Sequence, residues 1–259
     1  MNYYNEKILN LISDNILNYN VNELKDIYEI FNSGETKLIP SSKTKNIYNN
    51  FLIEEGVINK QFDLPYYFDF KKAKTIMIIG MDPKGSHNHK DIILNTPYSI
   101  QSATENSMNE NDYWKIINIL GNSYNIYLTD VYKAYFLKGS IASNKNILYK
   151  KKNLHAEIIR NEILEVKPYA ILCWGKVSRD FVARVVKLKL LNIITKDVNY
   201  PYECKGDFND IRLVAIPHPS GSTHEESFVS FHEANLPNIP YSKKIRPETL
   251  ANFVLSKLK

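Results

Sequence analysis

Three polar side chains that can do acid–base chemistry each follow a short apolar segment. They are Asp82 after residues 75–79, Asp130 after residues 126–128, and His218 after residues 211–216. A carboxylate can orient a water molecule and stabilise positive charge, and a histidine can donate to a leaving group. Pro217 and Pro219 flank His218 and fix the backbone on both sides of it, so the sequence predicts a histidine held in place by a stiff turn.

Apolar strands separated by helices are expected to bring these three residues together. The predicted strands cover residues 75–79, 126–131, 169–174 and 211–216. Helical spacing ends at Gly121 before the second strand and ends before Pro168 ahead of the third, and a helix with Phe181, Val182, Val185 and Val186 precedes the fourth. Pro247 is expected to open a last helix. This alternation predicts a three-layer α/β/α sandwich with a central, mainly parallel four-stranded sheet. In such sheets ligands bind at the carboxyl ends of the strands.

The first 70 residues have a different pattern. Ile8, Leu11, Ile12 and Ile16 follow helical spacing, and Leu24, Ile27, Tyr28 and Phe31 follow it again before Gly34. We therefore expect residues 1–70 to form an N-terminal helical extension and residues 71–259 to form the α/β domain.

Composition is typical of a globular chain. Of its 259 residues, 44% are hydrophobic and 24% are charged, and no long uncharged apolar run predicts a membrane span. The first residues lack the order of a secretion signal, and two cysteines are too few for a disulfide framework. We expect a cytoplasmic monomer that does not bind a membrane.

Basic residues raise the question of a polyanionic partner. The formal net charge is +5, which is compatible with nucleic acid but does not require it. Local clusters favour nucleic acid more strongly, although a solvated surface explains them equally well. The clusters are Lys145, Lys150, Lys151 and Lys152, and Lys243, Lys244 and Arg246.

Five segments together resemble the motifs of the uracil-DNA glycosylase superfamily. They are Gly80-Met81-Asp82-Pro83-Lys84, Pro97-Tyr98-Ser99-Ile100, Tyr127-Leu128-Thr129-Asp130, Leu172-Cys173-Trp174-Gly175 and His218-Pro219-Ser220-Gly221-Ser222. Each match is short, but all five occur in the family's order and at strand ends. The resemblance covers about residues 73–235 and leaves the N-terminal segment unexplained.

The resemblance implies a DNA glycosylase that needs no metal or cofactor. Asp82 would orient the water and stabilise the sugar cation, His218 would donate to the leaving base, and Tyr98 would stack on the flipped-out base. The further residues that it implies for base binding are Gly80, Met81, Lys84, His87 and Asp130, and those for DNA binding are Lys150, Lys151, Lys176, Ser220, Gly221 and Ser222. Each main role has a plain alternative: a turn carboxylate, a turn histidine, and a core tyrosine.

Departures from the family pattern bear on the substrate. Asp130 stands where the family has an asparagine, and an ionised carboxylate only accepts hydrogen bonds, which suits the amine of cytosine. Lys84 replaces a tyrosine that blocks the C5 side of the base, and Ser222 replaces the leucine that wedges into the duplex. The first two changes favour a cytosine enlarged at C5, such as the hydroxymethylated or glucosylated bases of bacterial viruses. Removing such bases would act as antiviral defence.

Three other functions stay open at the level of sequence. A buried, protonated Asp130 would donate like an amide and restore uracil excision in base-excision repair. A relative without catalysis would be a DNA-binding module. A metal-dependent nuclease would use His87, His89 and Asp91 as ligands.

Overall fold

The chain has a mixed α/β fold in the computed structural model, with helices and two β-sheets. The structure describes residues 6–46, 60–81, 92–102, 110–133, 152–184, 189–190, 202–205, 211–219 and 223–259. Across these residues no helix is long and apolar enough to cross a membrane.

Two compact units make up the chain, and each is assembled from separate stretches of sequence. The first unit comprises Met1–Tyr67, Met81–Ala103 and Leu128–Glu165, and the second comprises Phe68–Gly80, Thr104–Tyr127 and Val166–Lys259. The N-terminal segment therefore belongs to a unit that also contains later parts of the chain.

The first unit begins with the two helices that the apolar spacing predicts, α1 (Glu6–Asn15) and α2 (Val21–Asn32). Asn20 and Glu23 form a reciprocal capping box at the start of α2, which satisfies two backbone N–H groups there. Gly34 follows with φ of +89°, a left-handed conformation that suits glycine at a helix end. Both helices bury their apolar faces.

Strands β1 (Lys37–Ile39), β2 (Lys60–Asp63) and β5 (Ile92–Asn95) form a three-stranded sheet in the same unit. The central strand β5 pairs antiparallel with β1 and parallel with β2. A turn of 3-10 helix, Pro97–Ser102, follows β5. The unit also contains helix α4 (Lys152–Val166), which ends just before Pro168 as predicted.

The larger sheet has the order β3-β6-β4-β7-β10-β9-β8. Its strands are β3 (Tyr66–Phe68), β4 (Thr75–Gly80), β6 (Asn125–Asp130), β7 (Ala170–Trp174), β8 (Lys189–Leu190), β9 (Tyr202–Lys205) and β10 (Ile211–Ile216). The pairs β4–β7 and β7–β10 are parallel, whereas β9 runs antiparallel to both β10 and β8. The four predicted strands are neighbours in this sheet, in the order β6-β4-β7-β10.

The expected strand number was wrong, because the described residues alone contribute seven strands to this sheet rather than four. The three additional strands, β3, β8 and β9, are two to four residues long, too short to show a hydrophobic period. The predicted helical character of residues 1–70 also omitted β1, β2 and β3.

In the described part of the second unit there are four helices. They are α3 (Asp112–Gly121), α5 (Lys176–Arg184), α6 (Glu225–Asn235) and α7 (Arg246–Leu258). Pro247 stands in the first turn of α7, as predicted, and Asn111 precedes α3 at its N-cap position. The spacing did not predict α6, which buries only Phe228, Phe231 and His232.

Candidate functional site

The described site residues fall in both units. Met81, Tyr98 and Asp130 belong to the first unit, and Gly80, Lys176 and His218 belong to the second. The other predicted site residues lie outside the described part of the chain: Asp82, Lys84, His87, Lys150, Lys151, Ser220, Gly221 and Ser222, together with His89 and Asp91 of the alternative metal site.

Asp130 is the last residue of β6 and is fully buried, with 1% of its surface exposed. The N–H of Tyr132 donates to the backbone oxygen of Met81 over 3.0 Å. The turn that carries Asp130 therefore lies beside Met81, the residue that directly precedes Asp82 in the sequence. Within the first unit, the chain thus brings the predicted base-reading residue next to the segment that leads to the predicted catalytic carboxylate.

Tyr98 has an unusual backbone conformation. Tyr98 and Ser99 have φ of 61° and 51°, so two consecutive non-glycine residues occupy the left-handed region. Such residues cost of the order of 1–3 kcal/mol each and persist only where the surrounding structure enforces them. Here the Ser99 N–H donates to Thr96 over 2.9 Å, and the Asn95 amide donates to the Ser99 hydroxyl over 2.8 Å.

Gln101 completes this network around the turn. Its amide donates to Asn95 and its oxygen accepts from the hydroxyl of Thr96. Asn95 and Thr96 are buried, whereas Tyr98 is half-buried. A strained aromatic residue held by buried polar groups, with part of its surface accessible, is a candidate ligand-binding residue.

His218 lies at the end of β10, beside the end of the parallel strand β7. In the register of these strands Ile216 stands opposite Trp174, and the Gly175 N–H donates to the Ile216 oxygen over 2.8 Å. The Trp174 and His218 rings meet edge to face with centroids 6.3 Å apart. Pro217 is buried and His218 is half-buried, so the histidine packs against Trp174 and retains access to solvent.

Gly175 suits this arrangement. Its φ is +92°, which L side chains rarely adopt, and a β-carbon added there would lie 3.5 Å from Cβ of His218. The positive φ therefore favours a glycine after Trp174, whereas a β-carbon at this distance from His218 would be in ordinary van der Waals contact. Lys176 follows as the first residue of α5 and is exposed, which keeps it available for a phosphate.

A buried polar cluster beside Asp130 was missed by the sequence interpretation. The Lys133 ammonium lies 2.8 and 3.1 Å from the two carboxylate oxygens of Glu162, with 0% and 1% of the side chains exposed. The same ammonium contacts the hydroxyl of Thr129, which is also buried. We call these three residues the Lys133 cluster.

The position of Glu162 in the sequence is a signal of a buried, paired carboxylate. It stands on the apolar face of α4, between Ile158 and Ile159 on one side and Val166 on the other, where a solvated glutamate is out of place. A charged residue at a core position is almost always paired when buried.

His155 adds a titratable group next to this cluster. It is buried on α4 and its ring meets the Tyr132 ring edge to face at 4.9 Å between centroids. Burial, and secondarily the positive charge of Lys133, lowers the pKa of His155 to about 3. The imidazole is therefore neutral at physiological pH.

One of the C-terminal basic residues forms ion pairs within the second unit. Arg246 donates to Asp112 over 2.6 Å, lies 3.3 Å from Glu225, and stacks on the Phe228 ring at 4.1 Å. Of the predicted cluster, Lys243 and Lys244 remain exposed. Arg246 is a structural ion-pair residue.

Among the described residues, no group of three His, Cys, Asp or Glu side chains could hold a metal ion. Cys173 is buried in β7, in keeping with a core residue.

No protein-family model matches the chain, and no curated protein matches it significantly.

Proposed function

We propose that this chain is a DNA base glycosylase that hydrolyses the N-glycosidic bond of a flipped-out nucleotide. The observation that carries the proposal is the buried Asp130 carboxyl group, in a turn that is hydrogen-bonded to Met81. A buried polar group at a strand end, beside the segment that leads to a second carboxylate, is the arrangement that base reading and water activation require. We further propose the three-layer α/β/α architecture of the resembled superfamily.

In the proposed reaction, water adds to C1′ of the sugar while the bond from C1′ to the base nitrogen breaks. The base leaves with the bonding electrons, and the water proton passes to Asp82. Asp82 also stabilises the cationic sugar, and His218 donates to the base as negative charge develops on it. The product is an abasic site.

Three features of the described residues support these roles. The Trp174 ring packs edge to face against the His218 ring, and such packing favours a preorganised donor. The strained, half-buried Tyr98 suits an aromatic face for the extruded base. The exposed Lys176, at the first turn of α5, suits a DNA phosphate.

The proposed substrate is a cytosine modified at C5. An ionised Asp130 accepts from the exocyclic amine of cytosine and repels O4 of uracil. Excision of such bases from invading DNA would serve antiviral defence.

Uracil is a second candidate, favoured by one specific observation. Only 1% of Asp130 is exposed, and burial disfavours the charged form of a carboxyl group. A protonated Asp130 would donate to O4 of uracil, and the chain would then act in base-excision repair.

Excision assays on a matched set of DNAs separate the two candidates. Oligonucleotides containing uracil, cytosine, 5-hydroxymethylcytosine or its glucosylated form are incubated with the protein, and mass spectrometry identifies each released base. We expect release of the modified cytosines by the wild type. In Asp130→Asn, whose amide can donate to O4, preference should shift toward uracil by about 5- to 150-fold.

Asp26→Asn is the matched control, because Asp26 is exposed on α2. It should retain the wild-type preference. Efficient uracil release with no release of any cytosine derivative would refute the cytosine assignment. An unchanged preference in Asp130→Asn would show that residue 130 does not contact the base.

A further inference from the structure

The three side chains of the Lys133 cluster are all bonded to one another. Thr129 and Lys133 are four residues apart, and the contact between their side chains spans the turn that contains Asp130. Glu162 on α4 accepts from both Thr129 and Lys133. Asp130 therefore sits inside a turn whose two ends are bonded to each other and to a helix.

The backbone of the turn is bonded on the other side as well. Tyr132 donates its N–H to Met81, and the backbone oxygen of Lys133 accepts from the Asp63 N–H over 3.0 Å. The His155 ring packs against Tyr132. The turn is thereby attached to three separate parts of the first unit: the residue after β4, the last residue of β2, and α4.

Stability alone does not explain a fully buried ion pair. Removing two charges from water is costly, and apolar side chains of similar size often stabilise a core as well or better. A buried pair does, however, restrict where its neighbours can lie, because both partners must keep their geometry to remain paired. In this chain the neighbour so restricted is Asp130.

We propose that Lys133 and Glu162 are positioning residues that fix the Asp130 carboxyl group for recognition of the base. The inference rests on the proposed glycosylase function and adds a specificity role for two residues that do not contact the substrate. Displacement of the carboxyl group would weaken recognition of the preferred base more than that of a competitor, so base preference would fall.

The test compares base preference with stability in four variants. Preference is the ratio of kcat/KM for the best substrate to that for the next best, measured on the DNAs described above, and stability is the Tm. The variants are Glu162→Gln, Lys133→Met, the double variant Lys133→Met/Glu162→Leu, and Glu165→Gln as control. Glu165 lies three residues further along α4 and pairs with the exposed Lys7.

We expect both single variants to lower the preference by about 10- to 100-fold, because a small displacement far from the reacting atoms can cost this much. The double variant has a fully apolar pair, so its Tm should recover toward that of the wild type while its preference stays low. Glu165→Gln should retain the wild-type preference.

Two results would overturn the inference. One is an unchanged preference in Glu162→Gln. The other is a double variant that regains the wild-type preference together with its Tm, since the pair would then act through stability alone. If a single variant does not fold, the base preference of the double variant tests the inference. If the folded wild-type protein releases no base, both the proposed function and this inference are wrong. If the wild type prefers one base and the variants show the same preference, only this inference is wrong.

Discussion

Acidification should destabilise the protein through His155. Burial and the neighbouring Lys133 lower the pKa of His155 to about 3, whereas an unfolded histidine has a pKa near 6.5. Above pH 6.5 the imidazole is neutral in both states and has no effect. As the pH falls below 6.5, the unfolded chain takes up a proton that the folded chain excludes, and the equilibrium shifts toward unfolding.

The expected loss of unfolding free energy follows from the difference between the folded and unfolded pKa values of His155. Each pH unit between the two pKa values lowers the free energy of unfolding by about 1.4 kcal/mol, so the 1.5 units from pH 6.5 to pH 5 cost about 2 kcal/mol. Other groups titrate over the same range, and the effect must therefore be read as a difference between variants. His155→Phe keeps an aromatic ring beside Tyr132 and cannot titrate.

Urea unfolding at pH 8 and pH 5, followed by circular dichroism, measures this difference. Whatever its stability at pH 8, His155→Phe should gain about 2 kcal/mol relative to the wild type at pH 5. His224→Gln is the control, since His224 is exposed, and it should follow the wild type. If the wild type and His155→Phe lose equal stability between the two pH values, His155 is not a buried neutral histidine in the folded protein.

Two further substitutions test the strand ends and the strained turn. Gly175→Ala should lower the unfolding free energy by about 1–2 kcal/mol because of its positive φ, seen as a Tm roughly 2–8 °C lower; an unchanged Tm would contradict the geometry at Gly175. Tyr98→Gly removes both the strain and the aromatic face, so base release should fall by about tenfold or more, while Tyr98→Phe keeps the ring and should retain kcat/KM. Equal activity in the two Tyr98 variants would mean that the ring does not stack on a base.

Several parts of the structure could be predicted from the sequence. The four long strands are rich in apolar residues, as buried parallel strands require. Helices α1 and α2 keep their apolar spacing, α4 ends before Pro168, and α7 has Pro247 in its first turn. The stiff turn at His218 stays a prediction from its flanking prolines.

The rest depended on contacts between distant parts of the chain. Strands β8 and β9 are too short to carry a periodic signal, and they form by pairing with β10 and with each other. Gly175 and Tyr98 have positive φ that residue type alone does not reveal. The Lys133–Glu162 pair joins residues 29 positions apart, and neither partner alone indicates the other.

The central claim is tested most directly by detecting free base released from DNA by the wild-type protein and by Asp82→Asn. We predict that the wild type releases a modified cytosine and leaves abasic sites. Asp82→Asn should bind the same DNA with similar affinity but release the base at least about 100-fold more slowly, because the carboxylate acts on charge that develops only in the transition state. No base release by folded wild-type protein from any of the DNAs, or wild-type turnover by Asp82→Asn, would contradict the assignment.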